Sequence, residues 1–314
     1  MDALVQNFKN YFHEFEQKNP RRAAHYYVLC GCFFLSTEML FVKYLPNQTN
    51  PFQNASIRSI FALIFNSILI NSLSVPIYRD INVAFKGLCT RGLIGFSILM
   101  GMYTTFKYIP LGEGMVLLFM SPIWAFIMGK IILKEHFKVI DIILCIVTLF
   151  GVYLIFNPNV FRETTENDER IYNNKKIGII LALITSLIRA FSMVLVRSLS
   201  GKVSVISINQ FHYLFSSVLG AVALLFLGNI YRYSLWDYFL LCLLGFFGCF
   251  AQFLGARSLK LENPGIVGTL GNVTILFSFI YDCIILNSKL EIFSIVGCIL
   301  IIISTLFTLL INKK

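Results

Sequence analysis

Ten long apolar segments run through this chain, and they limit the folds that it can adopt. They cover residues 26–45, 55–77, 87–107, 112–133, 137–156, 177–199, 204–228, 235–257, 264–286 and 290–311. A helix needs about 20 apolar residues to cross the hydrocarbon core of a bilayer. A helix also bonds its own backbone N–H and C=O groups, for which hydrocarbon offers no partners. We therefore predict an all-α integral membrane protein with ten transmembrane helices.

The composition agrees with a protein that has lipid around it. Of the 314 residues, 57% are hydrophobic and 13% are charged, whereas a soluble domain carries about 25% charged residues. A soluble fold could not cover so much apolar surface with polar groups. The lipid bilayer is therefore the first partner that the sequence predicts.

The net charge of +10 does not indicate a nucleic-acid-binding protein. The longest basic runs are the pairs Arg21-Arg22, Lys175-Lys176 and Lys313-Lys314. A nucleic-acid-binding domain usually gathers Lys and Arg on one face or along one helix. We expect no nucleic-acid partner and explain the excess of basic residues by orientation in the membrane.

The distribution of Lys and Arg predicts that orientation, because cytoplasmic loops carry an excess of both. If the N-terminus is cytoplasmic, 16 of the 26 Lys and Arg residues lie at cytoplasmic helix ends, Arg91 among them, and 8 lie at the opposite ends. The other two, Arg58 and Arg189, lie within apolar segments. We predict a multi-pass protein with both termini cytoplasmic, in either the plasma membrane or an endomembrane.

The apolar segments fall into two groups of five. We predict a cytoplasmic N-terminal segment at 1–25, a first repeat at 26–156, a polar linker at 157–176, a second repeat at 177–311 and a cytoplasmic tail at 312–314. Apolar residues recur at helical spacing in the first 20 residues, which is compatible with an amphipathic helix on the membrane surface or with a polar tail.

The two groups look like copies of one unit. A shift of 153 positions aligns Gly95 with Gly248 and Ser121 with Thr274, and it superimposes the ends of the last three segments of each group. Because five is an odd number, the second copy must enter the membrane in the opposite direction. Inverted repeats of this kind are typical of transporters that alternate access around a central site.

The run MSPIWAFIMGKIILKEHFKVIDIILCIVTLFGVYLI, residues 120–155, carries a family resemblance. It is similar to the fourth and fifth helices of the drug/metabolite transporter superfamily in its EamA branch, through Pro122, Lys134-Glu135 and Gly151-Val152. The stretches KYLPNQTNPFQNASIRSIFAL and KYIPLGEGMVLLFMSPIW most resemble the eukaryotic solute-carrier-35 group G proteins. The resemblance implies ten helices in two inverted repeats and a small-molecule substrate.

Two charges lie deep in apolar segments and form our first candidate site. Glu38 and Arg189 each follow about 12 residues of their segment, and charges near a helix centre cost about 2.5–3.5 kcal/mol or more. In one interpretation they line a central cavity, where Arg189 binds an anionic group or pairs with Glu38, and Glu38 carries a coupled proton. In the other, they form a static ion pair that fixes helix packing.

Arg58 and His212 form a second candidate set with Gln210. The shift of 153 positions brings Arg58 to Phe211, beside His212, so inverted repeats would put the two side chains near opposite mouths of a pathway. Arg58 could instead extend to the membrane interface, and a lone histidine is often structural.

Other polar residues at depth in apolar segments are Tyr103, Gln252, Asn272, Thr274 and Asp282, and we select the first three as candidates. They could bind substrate in the cavity, or they could hydrogen-bond one helix to another.

The sequence contains no motif of an enzyme or of an ATP-driven pump. It has no GxSxG, HExxH or Walker A motif, and its eight cysteines are scattered without metal-ligand spacing. We expect no enzymatic activity, no cofactor and no metal. We predict a secondary transporter or facilitator of a small polar organic metabolite. A homodimer is compatible with this plan. The alternative is a non-transporting scaffold or regulatory subunit that keeps the fold.

Overall fold

The computed structural model describes residues 16–46, 49–109, 111–156, 175–227, 230–285 and 292–312. Within these ranges the regular structure is helical throughout. The helices are α1 Pro20–Val42, α2 Pro51–Ser72, α3 Ile77–Tyr108, α4 Leu111–Leu118, α5 Ser121–Ile132, α6 Val139–Phe156, α7 Lys175–Ser200, α8 Val205–Leu227, α9 Leu235–Leu261, α10 Pro264–Gly271, α11 Val273–Ile284 and α12 Ile292–Ile311.

The predicted class, an all-helical membrane protein, is confirmed. In the described part of the chain, nine helical stretches are long and apolar enough to cross a membrane. The stretch Val139–Ile155 is apolar but shorter. The total of ten membrane-spanning helices therefore stays a prediction.

Several helices begin earlier than the apolar pattern predicts, because polar residues form their first turns. Helix α2 starts at Pro51, where the side chain of Asn50 accepts a hydrogen bond from the N–H of Phe52 at 2.9 Å. Proline and an asparagine cap suit these two positions, since the first N–H groups of a helix have no partner inside it. Helix α3 starts at Ile77, ten positions before the predicted segment, and is kinked at Ala84.

The fourth and ninth predicted segments are each divided into two helices. Helices α4 and α5 are separated at Phe119 and Met120, and α10 and α11 are separated at Asn272. The first helices of these pairs begin at Leu111 and Pro264, which are 153 positions apart. The breaks therefore lie at matching places in the two halves of the chain, α1–α6 and α7–α12.

Contacts between the halves define two ends of the bundle. At one, called here the Glu262 end, the carboxylate of Glu262 lies 3.8 Å from Nε2 of His25. Nearby, Nε of Arg197 donates to Oε1 of Glu135 at 2.8 Å. At the other, called the Tyr231 end, the side-chain amide of Gln53 both donates to and accepts from the backbone of Tyr231.

The outer surface of the bundle is apolar. On α7 the exposed side chains recur every three or four residues, at Ile180, Ile184, Leu187 and Phe191. Such a stripe faces lipid in a membrane protein, and the opposite side of the same helix faces the protein interior. Inside, helices of one half pack mainly against helices of the other: α1 on α9, α2 on α8 and α3 on α7 and α8.

Candidate functional site

Glu38 and Arg58 form a buried ion pair between α1 and α2. The Glu38 side chain is almost fully buried, and Nη1 of Arg58 donates to its Oε1. Arg58 lies seven residues after Pro51, which is about 10 Å along the helix, so it is not at the helix start. This arrangement differs from the predicted pairing of Glu38 with Arg189 and from an Arg58 that extends to the interface.

A glycine of the second half makes room for this pair. A Cβ atom at Gly248 on α9 would lie 2.9 Å from Oε2 of Glu38, closer than real Cβ contacts come. Glycine therefore lets the backbone of α9 approach the carboxylate, as small residues do at helix interfaces in membranes.

A second cluster joins α3 and α8 and includes a residue that the sequence analysis placed elsewhere. Arg91 was counted among the cytoplasmic helix ends, but it is only 6% exposed, and its Nη1 lies 3.3 Å from Nδ1 of His212. Arginine has donors only, so Nδ1 is the acceptor and the neutral ring carries its hydrogen on Nε2. The early start of α3 explains the difference, because its first polar turns move Arg91 away from the end.

A glycine also lies beside the Arg91–His212 pair. A Cβ atom at Gly95 would overlap Nδ1 of His212 and lie 2.7 Å from Nη1 of Arg91. Gly95 and Gly248 are 153 positions apart. The two glycines thus hold matching places in the two halves, each beside one pair of polar side chains. The alignment of these glycines is the signal that could have led to Arg91 from the sequence.

The two pairs differ in charge. Arg58 faces the carboxylate of Glu38, whereas Arg91 faces a neutral imidazole. Among the residues that the structure describes, Arg91 has no carboxylate partner and its Nε has no hydrogen-bond acceptor. The positive charges of Arg91 and Arg58 both act on the His212 ring. The region is therefore electropositive on the Arg91 side.

Helix α8 presents a polar face to the interior beside these pairs. Asn209, His212, Tyr213 and Ser216 are all buried there, opposite a stripe of exposed apolar side chains that includes Val218. Both amide atoms of Asn209 and the hydroxyl of Tyr213 lack a hydrogen-bond partner within the described part of the chain. Buried polar groups are nearly always bonded, so this face is suited to water or a polar ligand.

Arg189 lies on α7, on the side opposite its lipid-facing stripe. Its guanidinium group lies 5.0 Å from the centre of the Phe119 ring, at the break between α4 and α5. It makes no hydrogen bond or ion pair with any residue that the structure describes, so the predicted pairing with Glu38 is not present. The other predicted role of Arg189, binding an anionic group, stays a prediction.

The second helix break lies close to α1. The Sγ of Cys32 is 3.5 Å from the carbonyl oxygen of Gly271, the last residue of α10. Next in the chain is Asn272, which is 2% exposed, and its Nδ2 has no partner among the described residues. Asn272 is thus a predicted site residue that the fold brings to a helix break.

The remaining predicted site residues are Gln210, Gln252 and Tyr103. Gln210 links α8 to α2, because its Nε2 donates to Ser67 at 2.9 Å and its Oε1 accepts from Asn66 at 2.6 Å. Gln210 therefore links the two helices, a role that was not predicted for it. Gln252 is half-buried on α9. The side chain of Tyr103 lies outside the described part of the structure.

At the Glu262 end, one carboxyl has an unusual environment. Burial raises the pKa of Glu262, while the Asn263 backbone N–H and the positive charges of Arg21 and Arg197 partly offset that effect. Arg197 belongs to α7, and Arg21 belongs to α1. Glu262 therefore interacts electrostatically with both halves of the molecule.

A helical bundle of two matching halves, with an apolar outer surface and charged residues inside, defines a polytopic membrane protein of the transporter class. The chain belongs to the EamA-like transporter family, whose profile matches residues 22–157 and again residues 176–310. The family, in the drug/metabolite transporter superfamily, is the one that residues 120–155 predicted.

Two relatives and one solved structure agree with this assignment. The human solute carrier family 35 member G1 is 25% identical over 286 residues, which cover 89% of this chain and 76% of that protein. The pseudopaline exporter CntI of Pseudomonas aeruginosa is 22% identical over 217 residues, covering 69% of this chain and 72% of the exporter. One crystal structure shares the fold with a TM-score of 0.76 at 12% identity, covering 92% of this chain and 96% of its own.

Proposed function

We propose that this protein is a secondary transporter or facilitator that moves a small polar organic metabolite by alternating access. The observation that carries the proposal is the polar interior between the two halves. It contains the Glu38–Arg58 pair, the Arg91–His212 pair and the polar face of α8. Ionisable groups in a membrane interior are costly, and transport pathways are where they are usually kept.

We also propose ten membrane-spanning helices in two inverted repeats. Helix α2 begins at the Tyr231 end, since Gln53 in its first turn contacts Tyr231. Helix α8, at the matching place in the second half, begins beside Asp80 of α3, whose carboxylate accepts from the N–H of Ser204. The matching helices thus begin at opposite ends, and matching helix breaks near the centre are common in such transporters.

The contacts at the two ends suggest how access could alternate. Arg257 of α9 donates two hydrogen bonds to Glu16, at 2.7 and 2.8 Å, and Arg197 of α7 pairs with Glu135. The first interaction joins the second half to the segment before α1, the other joins the two halves, and both lie at the Glu262 end. We propose that these ion pairs separate when that end opens, while the contacts at the Tyr231 end close the opposite side.

Within this proposal both termini are cytoplasmic, and the Glu262 end faces the cytoplasm. The support is the gathering of basic residues there, including Arg21, Arg197, Arg257 and Lys260. A positive excess on the cytoplasmic side is the usual rule.

Glu38 is our candidate for a coupled proton. Protonation would neutralise the carboxylate and weaken its interaction with Arg58, which would link the proton to the packing of α1, α2 and α9. We propose that Glu38→Gln abolishes any dependence of transport on a pH gradient, because the amide cannot carry the proton.

The test is reconstitution. The full chain is purified, metabolites are screened by thermal shift, and uptake of the stabilising ones into proteoliposomes is measured with and without a pH gradient, for the wild type and for Glu38→Gln. Saturable uptake by the wild type is the expected result. A folded protein that no metabolite stabilises and that carries no flux would instead favour the scaffold or regulatory subunit.

A further inference from the structure

We infer that Arg91, with His212, binds an anionic group of the transported metabolite, so that the substrate class is an organic anion with a carboxylate or phosphate group. The inference rests on the proposed function, because it assigns a ligand to the interior of the proposed pathway. Arg91 was not among the predicted site residues.

The buried charge of Arg91 favours an anionic ligand. An arginine is always protonated in proteins, and this one is 6% exposed. A buried charge requires a partner of opposite sign or a set of hydrogen bonds to offset its desolvation. The carboxylates of the described residues do not provide one, and the only polar contact of Arg91 there is the neutral ring of His212. An anionic ligand would supply the missing charge.

The hydrogen-bond donors that Arg91 and His212 leave unused also favour an anionic ligand. Arg91 uses Nη1 toward His212, while its Nε has no acceptor in the described part of the chain. The planar guanidinium group presents its donors in a fork that fits the two oxygens of a carboxylate or phosphate. Because Nδ1 of His212 accepts from Arg91, its Nε2 carries a hydrogen and is a further donor.

The surface of α8 beside His212 provides a further donor. Asn209 lies three residues before His212, so the two side chains are on the same side of the helix. The Asn209 side chain is 0% exposed, and its Nδ2 has no acceptor within the described residues. An amide donor is thus available one turn from the imidazole, as expected for a site that binds a polar ligand.

The charge balance is different at the matching place in the other half, beside Gly248. At that place the carboxylate of Glu38 compensates the charge of Arg58. Each pair lies beside a glycine, Glu38 beside Gly248 and Arg91 beside Gly95. If both pairs served packing alone, a carboxylate would be expected beside Arg91 as well. The uncompensated charge therefore distinguishes a ligand-binding role from a structural one.

The subsite lies toward one end of the pathway. His212 follows the start of α8 by seven residues, about 10 Å. It is therefore nearer to the Glu262 end, where Asp80 contacts Ser204, than to the Tyr231 end. A bound anion would approach Arg91 from the side that we propose is cytoplasmic.

The test measures binding to the purified full chain before any flux. Thermal shift titrations use inorganic phosphate, succinate and glycerol 3-phosphate, with glycerol and succinamide as uncharged counterparts and chloride at equal ionic strength as the salt control. We expect at least one oxyanion to stabilise the wild type, while the uncharged counterparts do not. Comparing the stabilisation by phosphate with that by succinate shows whether the site prefers a phosphate or a carboxylate group.

The variants are Arg91→Gln, His212→Gln and, as a matched control, Arg22→Gln, which makes the same change at an exposed position. We expect Arg91→Gln to raise the Kd of the stabilising anion by on the order of tenfold or more, since a charge-assisted hydrogen bond is lost. His212→Gln should have a smaller effect in the same direction, and it serves if Arg91→Gln does not fold. Arg22→Gln should bind as the wild type does.

The proposal is overturned if none of the oxyanions stabilises the wild type, or if Arg91→Gln and His212→Gln both bind them unchanged. Anion binding that depends on Arg91 in a protein without flux would leave this subsite standing and contradict the transport function. Saturable flux of an uncharged metabolite that Arg91→Gln leaves unchanged would contradict this subsite and leave the transport function standing.

Discussion

Arginines in the bundle differ in how their charge is compensated. Arg58 has the carboxylate of Glu38, whereas Arg91 has a neutral imidazole and Arg189 has the face of the Phe119 ring. Removing one member of a buried ion pair leaves the other charge unpaired, which is costly. Removing an uncompensated charge does not have this cost. Single substitutions at the arginines should therefore affect stability in different ways.

Arg58→Gln should destabilise the protein by about 3–5 kcal/mol, because it leaves the buried Glu38 carboxylate without its partner. The double variant with Glu38→Gln should recover much of that loss. Reversible unfolding in detergent measures both, with Arg91→Gln, expected to be neutral or stabilising without ligand, as the comparison. Equal losses for the single and double variants would mean that the pair does not form.

At the scale of single residues, the sequence predicted which charges are buried better than it predicted their partners. Glu38, Arg58 and Arg189 stand out because each interrupts an apolar segment. Their partners depend on how each helix is rotated about its axis, and the apolar pattern of α1 does not determine that. Arg91 was missed because it lies near the beginning of an apolar segment, and the polar first turns of α3 are not recognisable from hydrophobicity.

At the scale of elements, the two helix breaks and the two glycine contacts relate one half to the other. The apolar run from 112 to 133 predicts one continuous helix, but the chain forms α4 and α5. Composition cannot reveal such a break, since both helices are apolar. Pro122 lies in the first turn of α5, where a proline has no N–H bond to lose.

Gly95→Ala tests the contact between α3 and α8. The added Cβ would overlap the His212 ring and lie 2.7 Å from Arg91, so we expect both side chains to be displaced and substrate binding to be weakened. Gly255→Ala is the matched control, because a Cβ at Gly255 meets no atom within 4 Å. Thermal shift titration with the stabilising metabolite measures the difference. Equal effects of the two variants would contradict the described packing.

At the scale of the whole molecule, the ion pairs at the Glu262 end hold the two halves together. Burial raises the pKa of Glu262 above its ordinary value of 4.5. A raised pKa means that protonation stabilises the folded state: the contribution is fully present below the unfolded pKa and is lost as the pH rises through the folded pKa. The groups that face Glu262 are Arg21, His25, Arg197 and Glu135.

We therefore expect the wild type to lose stability relative to Glu262→Gln as the pH rises above 4.5, the ordinary pKa of this carboxyl. Melting temperatures between about pH 5 and about pH 8 provide the measurement, and His25→Gln shows how much of the trend comes from the histidine beside Glu262. A difference between wild type and Glu262→Gln that does not change with pH would contradict the environment described for this carboxyl.

The fold class and the family could be predicted from the sequence. The ten apolar segments and the motif around Pro122 can be recognised directly in the order of the residues. The packing of the interior could be predicted only in part, since helices of one half pack mainly against helices of the other. The Arg91–His212 pair joins positions 121 residues apart. Such a contact depends on how two distant helices meet.

Solute counterflow tests the central claim, alternating access, most directly. Proteoliposomes are loaded with the unlabelled form of a metabolite that stabilises the protein, and uptake of a trace of labelled metabolite is followed with time. A carrier that alternates predicts a transient accumulation of label above its equilibrium level, which is lost when Arg91 and Arg189 are both replaced by Gln. Simple equilibration without an overshoot would contradict alternating access, whereas an overshoot that the double variant retains would contradict the anion-binding roles proposed for Arg91 and Arg189.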